Sequence, residues 1–162
     1  MHESVMKFVK HVVSKINLAD KRVLEVGSYN VNGSVRELFK GAAEYIGVDS
    51  REGPGVDRVA NAHALQYYFM PDYFDIVVST EMLEHDPAFW LSMPEMGRVL
   101  KTGGHLILTA RGNGFPLHEH PGDYWRFMPE SFRLLFDLAG CNVELIKEDP
   151  QMPGVFGVGI KL

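Results

Sequence analysis

At 162 residues the chain has the length of one domain, with room for a sizeable core. Its 46% hydrophobic and 23% charged fractions are ordinary for a globular protein, and a formal charge of −5 argues against a phosphate backbone as the main partner. One cysteine, Cys141, excludes an internal disulfide and a cysteine-based zinc site. No apolar run approaches roughly 18 residues and no basic-then-apolar leader pattern opens the chain, so the expectation is a cytoplasmic protein without a membrane span.

In chain order, Val5, Phe8, Val9, Val12, Val13 and Ile16 recur at helical spacing and predict an amphipathic helix over residues 3–17, within an N-terminal segment 1–20. Residues 22–34, RVLEVGSYNVNGS, join a buried strand to a glycine-punctuated turn. Gly27 permits a sharp exit and a close approach of backbone to a ligand. Ser34 and Glu37 form a capping-box pattern that predicts a helix over residues 34–40. A second strand, 45–48, ends in Asp49. An acidic residue about 20 residues beyond such a turn, at a strand end, is placed to take a ribose hydroxyl pair. These first fifty residues therefore propose a nucleoside-containing cofactor.

A weak strand at 57–60 and a short helical segment near 62–68 follow. Residues 73–80, YFDIVVST, read as the clearest buried strand. Asp86-Pro87 marks a helix start, with the helix running past Pro94 to Leu100 and ending at the KTGG of 101–104. A strand at 105–110, a long irregular segment at 111–128 and a helix opened by Pro129 come next. Two strands, 143–147 and 155–161, are joined by a short connection that implies an antiparallel pair. The alternation predicts an α/β fold with a mostly parallel sheet of seven strands, covered on both faces, in which the last strand is antiparallel.

In order and spacing, these segments resemble the class I S-adenosylmethionine-dependent methyltransferases, in the branch often called type 11. LEVGS at 24–28, VDS at 48–50, FDIVVSTEMLEH at 74–85 and LKTGGHL at 100–106 match successive motifs of that family, and DYWRFMPESFRLLF at 123–136 looks like its DYWRFTPEGL element. The resemblance implies a Rossmann-like three-layer sandwich over residues 1–162 and S-adenosylmethionine as cofactor. On matching positions it puts Glu25 near the methionine amino group, with Gly27 and Ser28 bringing backbone against the amino-acid moiety. Asp49 would take both ribose hydroxyls, with Ser50 beside the ring. Asn61, with Ala62 next to it, stands where the family usually has the aspartate that reads the adenine amino group. Its amide oxygen could still accept that bond. Thr80 and Glu81 would border the methionine side. Tyr29 and Val31 replace the second and third glycines of the family's loop, so Tyr29 either folds against the cofactor as a shield or closes the pocket.

On the acceptor side, methyl transfer needs positioning and, for a hydroxyl, a base. The 111–128 loop holds His118, Tyr124 and Arg126, the residues assigned here to acceptor handling, while His120 and His85 are further histidines with the right chemistry. Glu81-x-x-Glu84-His85 would put three donors on one face of a helical turn. Similar runs carry magnesium in small-RNA 2′-O-methyltransferases and ubiquinone-pathway O-methyltransferases, with His118 or His120 as a possible fourth ligand here. Elsewhere in the superfamily the same Glu-His pair only caps the next helix, and no metal is assigned. Strand 73–80 ends in STEM, with no nucleophilic cysteine and no (D/N/S)PP(Y/F), which disfavours base methylation of nucleic acid. The expected acceptor is an oxygen on a small molecule or a glycan, with no nucleic acid or membrane partner, and an oligomer is possible. A cofactor-binding partner subunit without turnover, or another nucleotide-binding α/β domain, are the competing readings. A dinucleotide fold would need G-x-G-x-x-G where the chain has GSYNVNG.

Overall fold

A computed structural model describes residues 2–119 and 121–162. Seven strands form one sheet: β1 (Arg22–Val26), β2 (Glu44–Asp49), β3 (Arg58–Val59), β4 (Phe74–Thr80), β5 (Leu100–Arg111), β6 (Cys141–Glu148) and β7 (Gly154–Lys161), in the order β3-β2-β1-β4-β5-β7-β6. The pairs from β3 to β5 are parallel, and β7 runs antiparallel to both β5 and β6. The chain builds outward from β1 in one direction and from β4 in the other. The crevice between the carboxyl ends of these two strands is therefore a topological switch point, where ligands bind in open α/β sheets.

Alternation along the strands supplies both faces. On β4, Ile76 and Val78 join Val5, Phe8, Val9 and Val12 of α1 (Glu3–Val13) in one buried cluster, whereas Val77 joins Met93 and Met96 of α2 (Phe89–Val99) and Phe132 and Phe136 of α3 (Pro129–Leu138) in the other. The rings of Phe8 and Phe156 stack at 4.8 Å between centroids across the first interface. On the second, a Cβ on Gly157 of β7 would lie 2.7 Å from the Phe136 ring, so glycine there lets α3 settle onto the sheet. No helix among the described residues is long and apolar enough to cross a membrane.

Three expectations are corrected. The capping box at Ser34 does not form: Ser34 Oγ accepts from Arg36 N at 3.1 Å, and only a 3-10 helix, Arg36–Phe39, follows. The Arg36 guanidinium is drawn instead to Gly55 O and Asp57 Oδ2, at 3.1 and 2.5 Å. Asp86-Pro87 does not open α2, which starts at Phe89 after a 3-10 turn, Leu83–His85. Residues 101–104 are not a turn between elements, because β5 begins at Leu100 and absorbs them with a register shift against β4. The segment predicted near 62–68 is a 3-10 helix, Ala62–Tyr67.

Candidate active site

The switch point opens into a cleft of about 530 Å³, the size of a cofactor site. At the end of β1, Gly27 has φ +83° and a Cβ on it would come within 2.5 Å of Met82 Cγ, so the turn needs glycine. The amides of Gly27 and Ser28 both donate to Val48 O, at 2.9 and 3.0 Å, and Asn30 N donates to Pro54 O at 2.8 Å. Backbone donors of this loop are thus largely spent on holding it down over β2. Ser28 Oγ is the donor left over, buried in the cleft wall without a partner, and Thr80 Oγ1 at the end of β4 is in the same condition. Two orphaned hydroxyls in one crevice are what a polar ligand would satisfy.

Glu25 is buried and accepts from Tyr45 Oη at 2.6 Å. Burial pushes its carboxyl up to about 7, against the opposing pull of that hydrogen bond and of Arg36. Asp49 ends β2 with Oδ2 accepting from Tyr29 N at 3.2 Å and Oδ1 from Arg51 N at 3.2 Å. Each oxygen keeps lone-pair capacity, enough for two ribose hydroxyls. Tyr29 folds outward: its ring packs on Gly53 and lies 4.5 Å from the Arg51 guanidinium, forming a wall of the cleft and leaving it open. Asn61, Ala62, Ser50 and Glu81 line the same cleft, so every residue expected around the cofactor faces one space.

The acceptor side divides differently. Glu81 has φ +54°, a strained value for a non-glycine residue, and its side chain accepts from Thr109 Oγ1 at 2.8 Å and pairs with Arg111. It is thereby turned away from a shared face with Glu84. Glu84 is fully buried, its carboxylate oxygens make no well-formed hydrogen bond, and burial together with neighbouring Glu81 pushes it well above the usual carboxylate range. Donor atoms of Glu84, His85 and His118 all lie within 4.8 Å of one another. His85 Nδ1 lies 2.5 Å from Gly122 O. His118 lines the cleft, with Nε2 3.8 Å from Glu84 Oε1 and Nδ1 3.2 Å from Asp123 Oδ2. Burial and then His85 hold the His118 ring below the usual histidine range.

Tyr124 and Arg126 are not among the cleft-lining residues. Tyr124 is 57% exposed. Arg126 is occupied by Asp123, Phe115 O and Pro116 O, so it ties the loop to itself and holds Asp123 well below the usual carboxylate range. His120 lies outside the described residues. Sequence reading passed over Arg111, fully buried between Glu81 and Asp149, whose Oδ2 also accepts from Ser4 Oγ at 2.8 Å. It also passed over His63, whose Nε2 lies 2.6 Å from Asp86 Oδ1 in the cleft wall. A charge ending an apolar strand and a histidine beside the expected adenine residue were the available signals.

The model of the methyltransferase domain matches residues 24–108, which span β1 to β5 and carry this crevice. The chain belongs to that family. Its fold is that of the S-adenosylmethionine-dependent methyltransferases, and S-adenosylmethionine is the family's cofactor. Ubiquinone biosynthesis O-methyltransferase of Nitrosococcus oceani is 29% identical over 119 residues, covering 63% of this chain and 48% of that protein, so the chain spans about half the length of the curated relative it matches. Two solved structures share the fold. One is the 1,6-didemethyltoxoflavin-N1-methyltransferase of Burkholderia thailandensis, determined with bound 1,6-didemethyltoxoflavin and S-adenosylhomocysteine, at TM-score 0.78, 15% identity and coverage of 98% and 79%. The other is YcgJ of Bacillus subtilis, at TM-score 0.75, 16% identity and coverage of 99% and 99%.

Proposed function

We propose that this methyltransferase domain, spanning 1–162, methylates an oxygen on a small molecule or sugar, with His118 as the acceptor-side base. The observation that carries the reading is one cleft lined both by Asp49 and by His85 and His118. The N. oceani relative, named an O-methyltransferase, supports the same acceptor atom. The cofactor supplies an electrophilic methyl on a sulfonium. On methylation of an acceptor hydroxyl, its proton would pass to His118, whose lowered proton affinity keeps the ring unprotonated near neutral pH. Asp123 faces Nδ1 and steadies the ring as it becomes charged.

The test is alanine at His118, measured with a panel of catechol, phenol and sugar acceptors. Turnover is expected to fall on the order of 10²-fold or more, with S-adenosylhomocysteine affinity nearly unchanged. Equal losses in both would remove His118 from acceptor handling.

The orphaned Glu84 carboxylate supports a second reading, in which Glu84, His85 and His118 hold a divalent cation. Carboxylate plus imidazole is a suitable donor set, and a cation there would polarise the acceptor oxygen. Under it, turnover is lost on chelation, restored by magnesium or manganese, and abolished by Glu84→Gln. Full activity after chelation leaves the base mechanism alone.

Glu25 gives a pH prediction. A bound cofactor ammonium favours the ionised carboxylate, so binding lowers a proton affinity that stands at about 7 in the free protein. Near pH 6.5 S-adenosylhomocysteine should therefore bind with proton release, and its affinity should decline as pH falls through that range. Calorimetry in two buffers of different ionisation enthalpy measures the release; none at pH 6.5 places Glu25 away from the ammonium.

A further inference from the structure

We propose that His63, held by Asp86, reads the amino group of the cofactor's adenine through its Nδ1 atom. This goes beyond the acceptor chemistry and rests only on the family's cofactor. The starting point is Asn61, the departure from the family's aspartate. Its Oδ1 accepts from His63 N at 2.9 Å and caps the 3-10 helix Ala62–Tyr67. The cap directs the amide oxygen toward the backbone and leaves the amide nitrogen as the donor end of the side chain. One acceptor site of Asn61 Oδ1 is taken by this cap, and His63 Nδ1 supplies a further acceptor two residues on.

The His63 ring is anchored. Its Nε2 lies 2.6 Å from Asp86 Oδ1, and the Asp86 side chain is itself buried and fixed by Ala88 N at 2.9 Å and by Ser92 Oγ. A carboxylate only accepts, so the proton between them sits on Nε2. With one proton on the ring, Nδ1 is a bare acceptor, and among the described residues neither a hydrogen bond nor an ion pair engages it. His63, Asn61 and Pro87 line the same cleft as Asp49. The base lies beyond the ribose, so the Asn61–His63 segment borders it.

The two side chains then present an acceptor, His63 Nδ1, next to a donor, the Asn61 amide. Adenine offers the complement: an amino donor beside a ring-nitrogen acceptor. A hypoxanthine base offers the inverse, a carbonyl acceptor beside an N–H donor, so both contacts become repulsive. Sites built around such bonds reject the mismatched analogue far more strongly than an apolar pocket does.

Calorimetry with S-adenosylhomocysteine and its 6-oxo analogue, S-inosylhomocysteine, tests this. The wild type should prefer the amino base by more than about tenfold. His63→Phe, which keeps the ring volume and removes both nitrogens, should cut that preference by about tenfold, while His63→Gln, which keeps an acceptor, should retain most of it. A merely structural tie between His63 and Asp86 would weaken both ligands equally and leave the ratio unmoved, overturning the proposal. Should the phenylalanine variant not fold, the wild type carries the decision. The 15N resonance of His63 Nδ1 should shift on binding S-adenosylhomocysteine and stay still with the analogue whose base lacks the 6-amino group; identical shifts with both also overturn it. A wild type that binds neither ligand refutes the cofactor itself.

Discussion

Arg111→Met should destabilise the protein by about 3–5 kcal/mol, measured by urea unfolding. Arg111 is fully buried at the end of β5, paired with Glu81 on one side and Asp149 on the other, and its guanidinium lies 4.8 Å from the Phe115 ring. Methionine fills similar space without the charge. Two carboxylates would then face each other across a site that already holds the buried Glu84, and desolvated charge without a partner is among the largest single-residue penalties. Asp149→Asn should recover part of the loss in the double variant, because it removes one of the orphaned charges. A loss below about 1 kcal/mol, the size expected of an exposed pair, would show that water reaches the cluster and that the network is not a sealed one.

Asp49→Ala should weaken S-adenosylhomocysteine binding on the order of a hundredfold or more. Two charge-assisted bonds to ribose hydroxyls are removed, each worth about 1.5–3 kcal/mol. Part of the effect passes through the loop, since Asp49 also accepts from the amides of Tyr29 and Arg51. A thermal melt separates the contributions: the domain should stay folded, with nearly the wild-type midpoint. Unchanged affinity would place the ribose elsewhere and take with it the assignment of the whole nucleoside end of the cleft.

Much of the fold was legible because its rules are local. β4 is a run of β-branched residues whose alternating faces both meet helices, and the short 149–153 connection foretold the antiparallel β6–β7 pair. The strand-end carboxylates Glu25 and Asp49 were legible for the same reason. What escaped depended on partners distant in the chain. Ser34 does form a turn contact, but Arg36 is claimed by Asp57, and the α-helix gives way to a 3-10 turn. Arg126 carries the charge of a substrate anchor, yet Asp123, three residues earlier, holds it within the loop. Asn61 shows the limit most sharply: the residue type predicted an acceptor, and the helix cap engaged it.

The meeting of Ser4 and Asp149, 145 positions apart, also dictates when the molecule can become complete. Parallel pairs β1–β4 and β4–β5 can form early, but the β6–β7 hairpin must dock on β5 through β7, and only then does Asp149 arrive under Arg111. Contacts of such long sequence separation are formed late and slowly, because loop closure precedes their reward. On the ribosome, α1 emerges well before the β6–β7 hairpin and waits for it. Until then Arg111 and Glu81 have no sealed environment, so the catalytic crevice is the last part of this domain to acquire its native electrostatics.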